Sequence, residues 1–397
     1  MRSSVLRRPA GTIGLLCLAE LVIPAAMFAQ APLPRFAVRE EMRVSGTANQ
    51  LSPISQLRSR RDSAVWVWQR QDAAIRLFGG TGRPILTFGR SGAGPGEFRA
   101  PGTSGWIADT LWVLDPSLRR TTFISPQGKL IRTASWPGGW RLATRDTVSL
   151  PTFLGVAPRA IYRDGSFLFV SPWPQGVPRP GWYPTAERRW PMLRLSADGV
   201  FKRVVGWVSL GSADCAVSVG SRDLGIPFCA SPLHSIATDG SRIAILVQRN
   251  ETGPTAQFTL TMLDQDGDTV FSKPYDYIPQ RISRISSDSA LAGFRRLPGL
   301  SKEIIAAVDG MRLPVTYQPA RRLLVGGDRS VWIEVNHTGP DHRWLLIGER
   351  GDVVGTLDLP VKISIHEASR DAILVTEEDD DGVQSVVRYH IVRLNPH

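Results

Sequence analysis

Two histidines in this chain stand at the same distance from an acid that closes a strand. His234 lies five residues before Asp239 and His366 five before Asp371; by the same count Arg159 precedes Asp164 and Ser104 precedes Asp109. If those acids mark equivalent turns, the four side chains share one register. Two imidazoles in one register are the beginning of a zinc site, whereas calcium on the same axis would need oxygen ligands as well; a structural or catalytic zinc site takes at least three protein ligands. The preferred reading is that His234 and His366 line a polar channel and bond to their neighbours. A metal held by His234 and His366 is the alternative.

Other candidate chemistry resolves into turns. "DQDGD" (264–268) has the acids of a calcium loop, yet an EF-hand would place Gly where Thr269 stands and Glu where Tyr275 stands. Asp-Gly at that place reads as a hairpin turn. "EEDDDG" (377–382) reads as a solvated hairpin tip, and His337 and His342 flank a short loop. The Gly-x-Ser-x-Gly elbow of α/β-hydrolases does not occur. Trp136, Trp140, Trp173 and Trp182 sit among Pro and Gly, where exposed aromatics can contact a partner.

The compartment is legible at the start of the chain. Arg2, Arg7 and Arg8 precede an apolar run from Ile13 to Met27, and Ala29-Gln30-Ala31 has the small-x-small form of a cleavage site. Residues 1–31 are expected to be an export signal and residues 32–397 the mature domain, with no further membrane span, in the periplasm or outside the cell. Cleavage removes three arginines and one glutamate from a chain of net charge +11, leaving +9, and only five of the basic residues are lysine. An exported arginine-rich protein without a nucleic-acid motif points to a protein or an anionic envelope polymer as partner, not to nucleic acid. The doublets Arg60-Arg61, Arg295-Arg296 and Arg321-Arg322 are dispersed and read as solvated faces. Cys215 and Cys229 remain after cleavage, and an even pair in an oxidising compartment reads as a disulfide.

The elements that must hold these residues are strands. A short run rich in β-branched and aromatic residues, an Asp or Gly turn and further strands recur along the chain, as in "WIADTLWVLDPSLRRTTFISPQGKLIRTASW" (106–136), "SIATDGSRIAILVQ" (235–248) and "LLVGGDRSVWIEV" (323–335). Six such units can be aligned, and alternation with frequent turn residues makes the chain all-β. Units of this size bury both faces by radial stacking, which gives a six-bladed β-propeller of one domain and a monomer; residues 137–158 leave room for a seventh. The last unit offers three strands, near 361–366, 371–377 and 384–394. Residues 35–46 alternate as a strand without a unit of their own, and are expected to complete that last blade and close the ring.

"GRSGAGPGEFRAPG" (89–102) then falls between an outer strand and the next inner one. It lacks the Gly-Lys-Ser/Thr of a phosphate loop, so it reads as a crossover between blades. "GxxGxGPGEFxxP" followed by "IADTLWVLDPSLRRTTFISPQGKL" resembles the repeat of the NHL family of six-bladed propellers. The resemblance implies that Gly92, Gly94 and Gly96 adopt angles closed to other residues, that Phe98 wedges between blades, and that Glu97 accepts loop amides. Amidating lyases of that kind hold zinc with three histidines where this chain offers two, so the resemblance implies the fold and transfers no activity.

Residues 279–313 depart from the repeat. They read as an insertion before the fifth blade with helices at 288–297 and 302–309, capped by Ser287 and Ser301. Leu291, Phe294, Ile304, Ile305 and Val308 form stripes that need cover. The function expected is non-catalytic binding or scaffolding of a protein or envelope polymer through a loop face that includes Arg159, Trp173 and Trp182. The alternative is a lactonase- or lyase-type enzyme with a metal on the axis.

Overall fold

The computed structural model describes residues 33–136, 140–141, 149–150, 157–170, 189–209, 215–220, 222–296, 300–337 and 339–394. The leader lies outside these residues, as do Trp173 and Trp182 and most of 137–158. The domain is all-β with a β-propeller-like arrangement. Four antiparallel four-stranded meanders span 54–88, 104–135, 160–209 and 233–277. A single eight-stranded sheet follows, formed from a meander over 320–359, the three strands Ile363–Ala368, Ala372–Glu378 and Gln384–Arg393, and the N-terminal strand Arg35–Val44 between the two groups. That strand pairs antiparallel with Gln384–Arg393 from Phe36 to Val44, and its first residues pair parallel with Thr356 and Leu357.

Each meander buries both faces, so its second strand is apolar along most of its length. In Val65–Gln69, "VWVWQ", all five residues are buried. Alternation then sorts them between two neighbours. Trp66 and Trp68 pack with Leu111 and Val113 of the next meander, while Val65 and Val67 pack with Leu374 and Val386 of the last strands of the chain. The same division recurs at Trp112 with Phe167 and Phe169, at Leu168 with Ile243, at Ala244 with Ile333, and at Trp332 with Ile373. Trp136, expected in an exposed loop, is instead buried in one of these clusters, and its Nε1 donates to Thr121 Oγ1 at 2.9 Å. Its flanking Pro and Gly had hidden that it seals the end of a strand.

Ion pairs tie neighbouring meanders at their turns. Arg194 reaches Asp164 at 3.2 Å and Asp266 of the next meander at 3.0 Å, and Arg370 lies 3.7 Å from Asp328. The carboxylates of these pairs are open to water, which screens each pair to about 0–1 kcal/mol, so the apolar clusters dominate.

The insertion contains two helices, Arg284–Arg295 and Lys302–Asp309. Ser301 caps the second as expected. The first starts a turn earlier than the sequence suggested, because Ser283 and not Ser287 is its cap: Ser283 Oγ accepts from Ser286 N at 3.0 Å. Several serines compete for that place, Ser283, Ser286 and Ser287 standing within five residues. Ile304 and Val308 are buried with Leu291 and Phe294 against a hairpin, Ala216–Val219 with Arg222–Gly225, that comes from the preceding crossover, whereas Ile305 stays exposed. Cys215 and Cys229 are joined by a disulfide that brackets this hairpin.

Candidate functional site

Three first strands that lie side by side, Ala320–Val325, Ile363–Ala368 and Ile54–Ser59, each contain a β-bulge. The unpaired residues are Arg321, His366 and Ser55. A bulge turns the residues beside it and re-aims their side chains. Here it delivers Gln56, Arg58, Arg322, His366 and Glu367 to one cavity of about 570 Å³. The cavity extends to the turns at Asp109, Arg163 and Asp239. The second and fourth meanders meet directly along its wall, Trp106 N donating to Thr238 O at 2.9 Å. Gly105 permits the contact, since a Cβ there would lie 2.0 Å from Thr238 O. The third meander therefore reaches the cavity through its turn, at Arg163.

Arg58 and Glu367 form a buried pair, Nε to Oε1 at 3.7 Å. Arg58 also donates to Leu57 O at 2.7 Å and, through Nε and Nη2, to Ser104 O at 3.1 Å. Glu367 Oε2 accepts from the Ser59 amide at 2.7 Å and from Ser59 Oγ at 2.5 Å. Burial pushes the Glu367 carboxyl up and the Arg58 guanidinium down, and each is opposed by the other's charge. Breaking such a pair strands a buried charge, so it is fixed structure at the floor of the cavity. Arg322 is held differently: Nη2 donates to Ile365 O at 2.6 Å, the guanidinium stands 5.4 Å from the centroid of the Trp344 ring, and its nearest carboxylate, Glu334, is 4.0 Å away. Glu334 in turn lies 3.5 Å from His342, one of the two hairpin histidines.

His366 lies in the cavity with Nε2 3.1 Å from Thr376 Oγ1. Burial, then the charges of Arg58 and Arg322, lower its pKa to about 3, so it is neutral at physiological pH. It can accept or donate a hydrogen bond or ligate a metal, but it cannot serve as a cationic acid. The expected common register of the histidines is broken by the bulge: His366 is its extra residue, whereas His234 pairs regularly with Ile245. His234 and the exposed Arg159 lie outside the cavity lining, and burial followed by the Arg159 charge lowers the His234 pKa. The described residues include no group of three or more His, Cys, Asp or Glu side chains placed for a metal ion.

The His366 shift has a direct consequence. In the unfolded chain the imidazole titrates near 6.5, and below that pH the unfolded state takes a proton that the folded state refuses. Its contribution is intact above pH 6.5 and is lost on acidification towards the folded pKa, at up to about 1.4 kcal/mol per pH unit. His366→Asn is expected to lose less stability than the parent between pH 6.5 and about pH 5, by up to about 2 kcal/mol, read from urea midpoints at both values. Equal losses would show that the imidazole can be protonated in place.

Arg58, Arg322, Glu367 and Gln56 were missed in the sequence. Their signal is a polar residue inside an apolar first strand, as in "ISQLRS" and "ISIHEA". The doublet Arg321-Arg322, read as a solvated face, is split by its bulge: Arg321 is exposed and bonds Asn336, while Arg322 faces the cavity.

No family model and no curated protein matches this chain. Among solved structures it is similar to a DUF4221-family protein from Bacteroides vulgatus, at 12% identity over 90% of this chain and 96% of that one, with a TM-score of 0.48. A putative exported protein from Bacteroides fragilis gives 9% identity over 91% and 96%, with a TM-score of 0.45. A PQQ-bound aldose sugar dehydrogenase from Streptomyces coelicolor gives 14% over 91% and 100%, with a TM-score of 0.41. Likenesses this distant say nothing about what the cavity does.

Proposed function

We propose that this chain is an exported six-bladed β-propeller that acts as a binding protein, with the axial cavity receiving a small ligand or a protruding group of a protein or polymer partner. The sixfold reading takes the eight-stranded sheet as two blades joined through the N-terminal strand, which closes the ring. What supports it is the cycle of six apolar clusters, each shared by consecutive meanders, with the last returning to Val65 and Val67. Export is supported by the apolar leader and by the Cys215–Cys229 disulfide.

The binding reading is carried by one observation: three adjacent strands give up regular pairing to present polar side chains to a single cavity. A bulge leaves ladder groups unpaired, and such departures concentrate where a side chain must be aimed. The cavity volume also falls in the range of ligand sites, about 300–1,000 Å³. Ser235 lines the cavity beside the strand of Arg322, its Oγ accepting from Val325 N at 3.1 Å, and Ser235→Trp should fill the space. Thermal unfolding of the mature protein with citrate, glycerol phosphate, N-acetylglucosamine or spermidine is expected to show a midpoint increase with at least one, absent in Ser235→Trp. A binder whose stabilisation survives that substitution would place the site elsewhere.

A further inference from the structure

We infer that the axial cavity takes a small organic oxyanion, a carboxylate or phosphate, anchored by Arg322 with Arg163 at the mouth. This rests on the cavity being the ligand site. The lining holds six arginines and three carboxylates, but the excess matters only where a guanidinium is not already neutralised. Four of the six have a carboxylate at 3.7 Å or closer. Arg58 has Glu367 at 3.7 Å, Arg60 has Asp62 at 2.7 Å, Arg61 has Asp109 at 3.5 Å and Arg388 has Glu41 at 3.2 Å. Arg163 forms no ion pair with a described residue, and Arg322 has only Glu334 at 4.0 Å.

Arg322 is also the better prepared of the two. One of its Nη atoms is tied to Ile365 O and its plane lies near an indole ring, which fixes its direction before any ligand arrives. A planar guanidinium held in this way gives two parallel hydrogen bonds to a carboxylate or phosphate and loses little entropy in doing so. The neighbouring His366 is neutral, so it adds a hydrogen-bonding group without competing charge. Glu334 stands opposite Arg322 on the neighbouring strand, where its buried carboxylate offsets part of the guanidinium charge at 4.0 Å, but it does not line the cavity. A bare ion would leave most of the 570 Å³ empty, which favours an anion with an organic body.

The test is calorimetric titration of the mature protein with citrate, glycerol phosphate, N-acetylglucosamine and spermidine, using Arg322→Gln, Arg163→Gln, Ser235→Trp and, as a charge control outside the cavity, Arg203→Gln. Citrate or glycerol phosphate is expected to bind, about tenfold or more weakly in Arg322→Gln, less weakened in Arg163→Gln, not at all in Ser235→Trp, and unchanged in Arg203→Gln. Preference between citrate and glycerol phosphate separates carboxylate from phosphate as the head group. Should Arg322→Gln fail to fold, Arg322→Lys keeps the charge without the fork and should still weaken binding, while the exposed Arg163→Gln supplies an independent reading. Anion binding that ignores Arg322 and Arg163 but is lost in Ser235→Trp overturns the anchor and leaves the cavity reading standing. Binding of the sugar or the polyamine alone, or no heat with either anion at millimolar concentration, overturns the anion class. Anion binding that survives Ser235→Trp overturns the cavity itself.

Discussion

A chain that lacks residues 33–44 is expected not to reach the native state. Strand Arg35–Val44 pairs along nearly its full length with Gln384–Arg393, and Met42 and Val44 are buried in the cluster that joins the chain's last strands to its first meander. Its backbone also supports the turn of that meander, since Gly82, at φ +79°, packs so closely that a Cβ would lie 2.3 Å from Arg43 O. Arg43 with Glu377 and Glu41 with Arg388 add charged links across the same seam. Without the strand, Gln384–Arg393 becomes an open edge carrying the buried Val386, Val387 and Ile391, an arrangement that invites pairing with other chains. The truncated protein should elute as aggregate and show no cooperative thermal transition, and a synthetic peptide of residues 33–46 supplied in trans should recover part of it. A truncated monomer that melts at the parent temperature would refute closure by the N-terminal strand, and with it the sixfold ring.

The seam was legible because it depends on pattern alone: residues 35–46 alternate as a strand, and the last repeat is one strand short. The disulfide and the cap at Ser301 were legible for similar reasons, each being a local rule with one candidate. The cavity was not. Its defining residues are set by bulges at Ser55, Arg321 and His366, and a bulge inserts one residue without altering composition or the spacing of turn residues. Counting back from the turn acid therefore placed His366 and His234 together, although one sits in the bulge and the other in a regular pair. The count also could not foresee that Trp106 and Thr238 would meet and leave Arg159 outside. The glycine motif was read almost as it stands: Gly96 has φ +78° and the Glu97 carboxylate accepts from Gly94 N at 2.7 Å. Gly94 itself has no positive φ; a Cβ there would stand 3.0 Å from Glu97 Oε2. That amide, with Arg90 beside it, lowers the Glu97 pKa.

Phe98→Ala is expected to cost about 3–5 kcal/mol, the range for deleting a large aromatic from a packed core. Phe98 has no exposed surface and sits in the cluster that holds Trp66, Trp68 and Ile75 of one meander against Leu111 and Val113 of the next. Phe88 meets it edge-on with ring centroids 6.0 Å apart. The loop is built to place it: Phe98 N donates to Arg90 O and Gly92 N to Phe98 O, and Gly89, at φ +89°, lies against the ring where a Cβ would be 2.7 Å away. Neighbours fixed in two separate sheets cannot close over the hole, which puts the cost in the upper part of that range. The loss should appear as a lower urea midpoint with an unchanged slope, because the same surface is exposed on unfolding. Phe98→Leu, which keeps most of the volume, should recover more than half of it. A loss for Phe98→Ala below about 1.5 kcal/mol, less than the cost of leaving one large apolar side chain unburied, would mean that the wedge carries little of the contact between these sheets and that the crossover merely spans them.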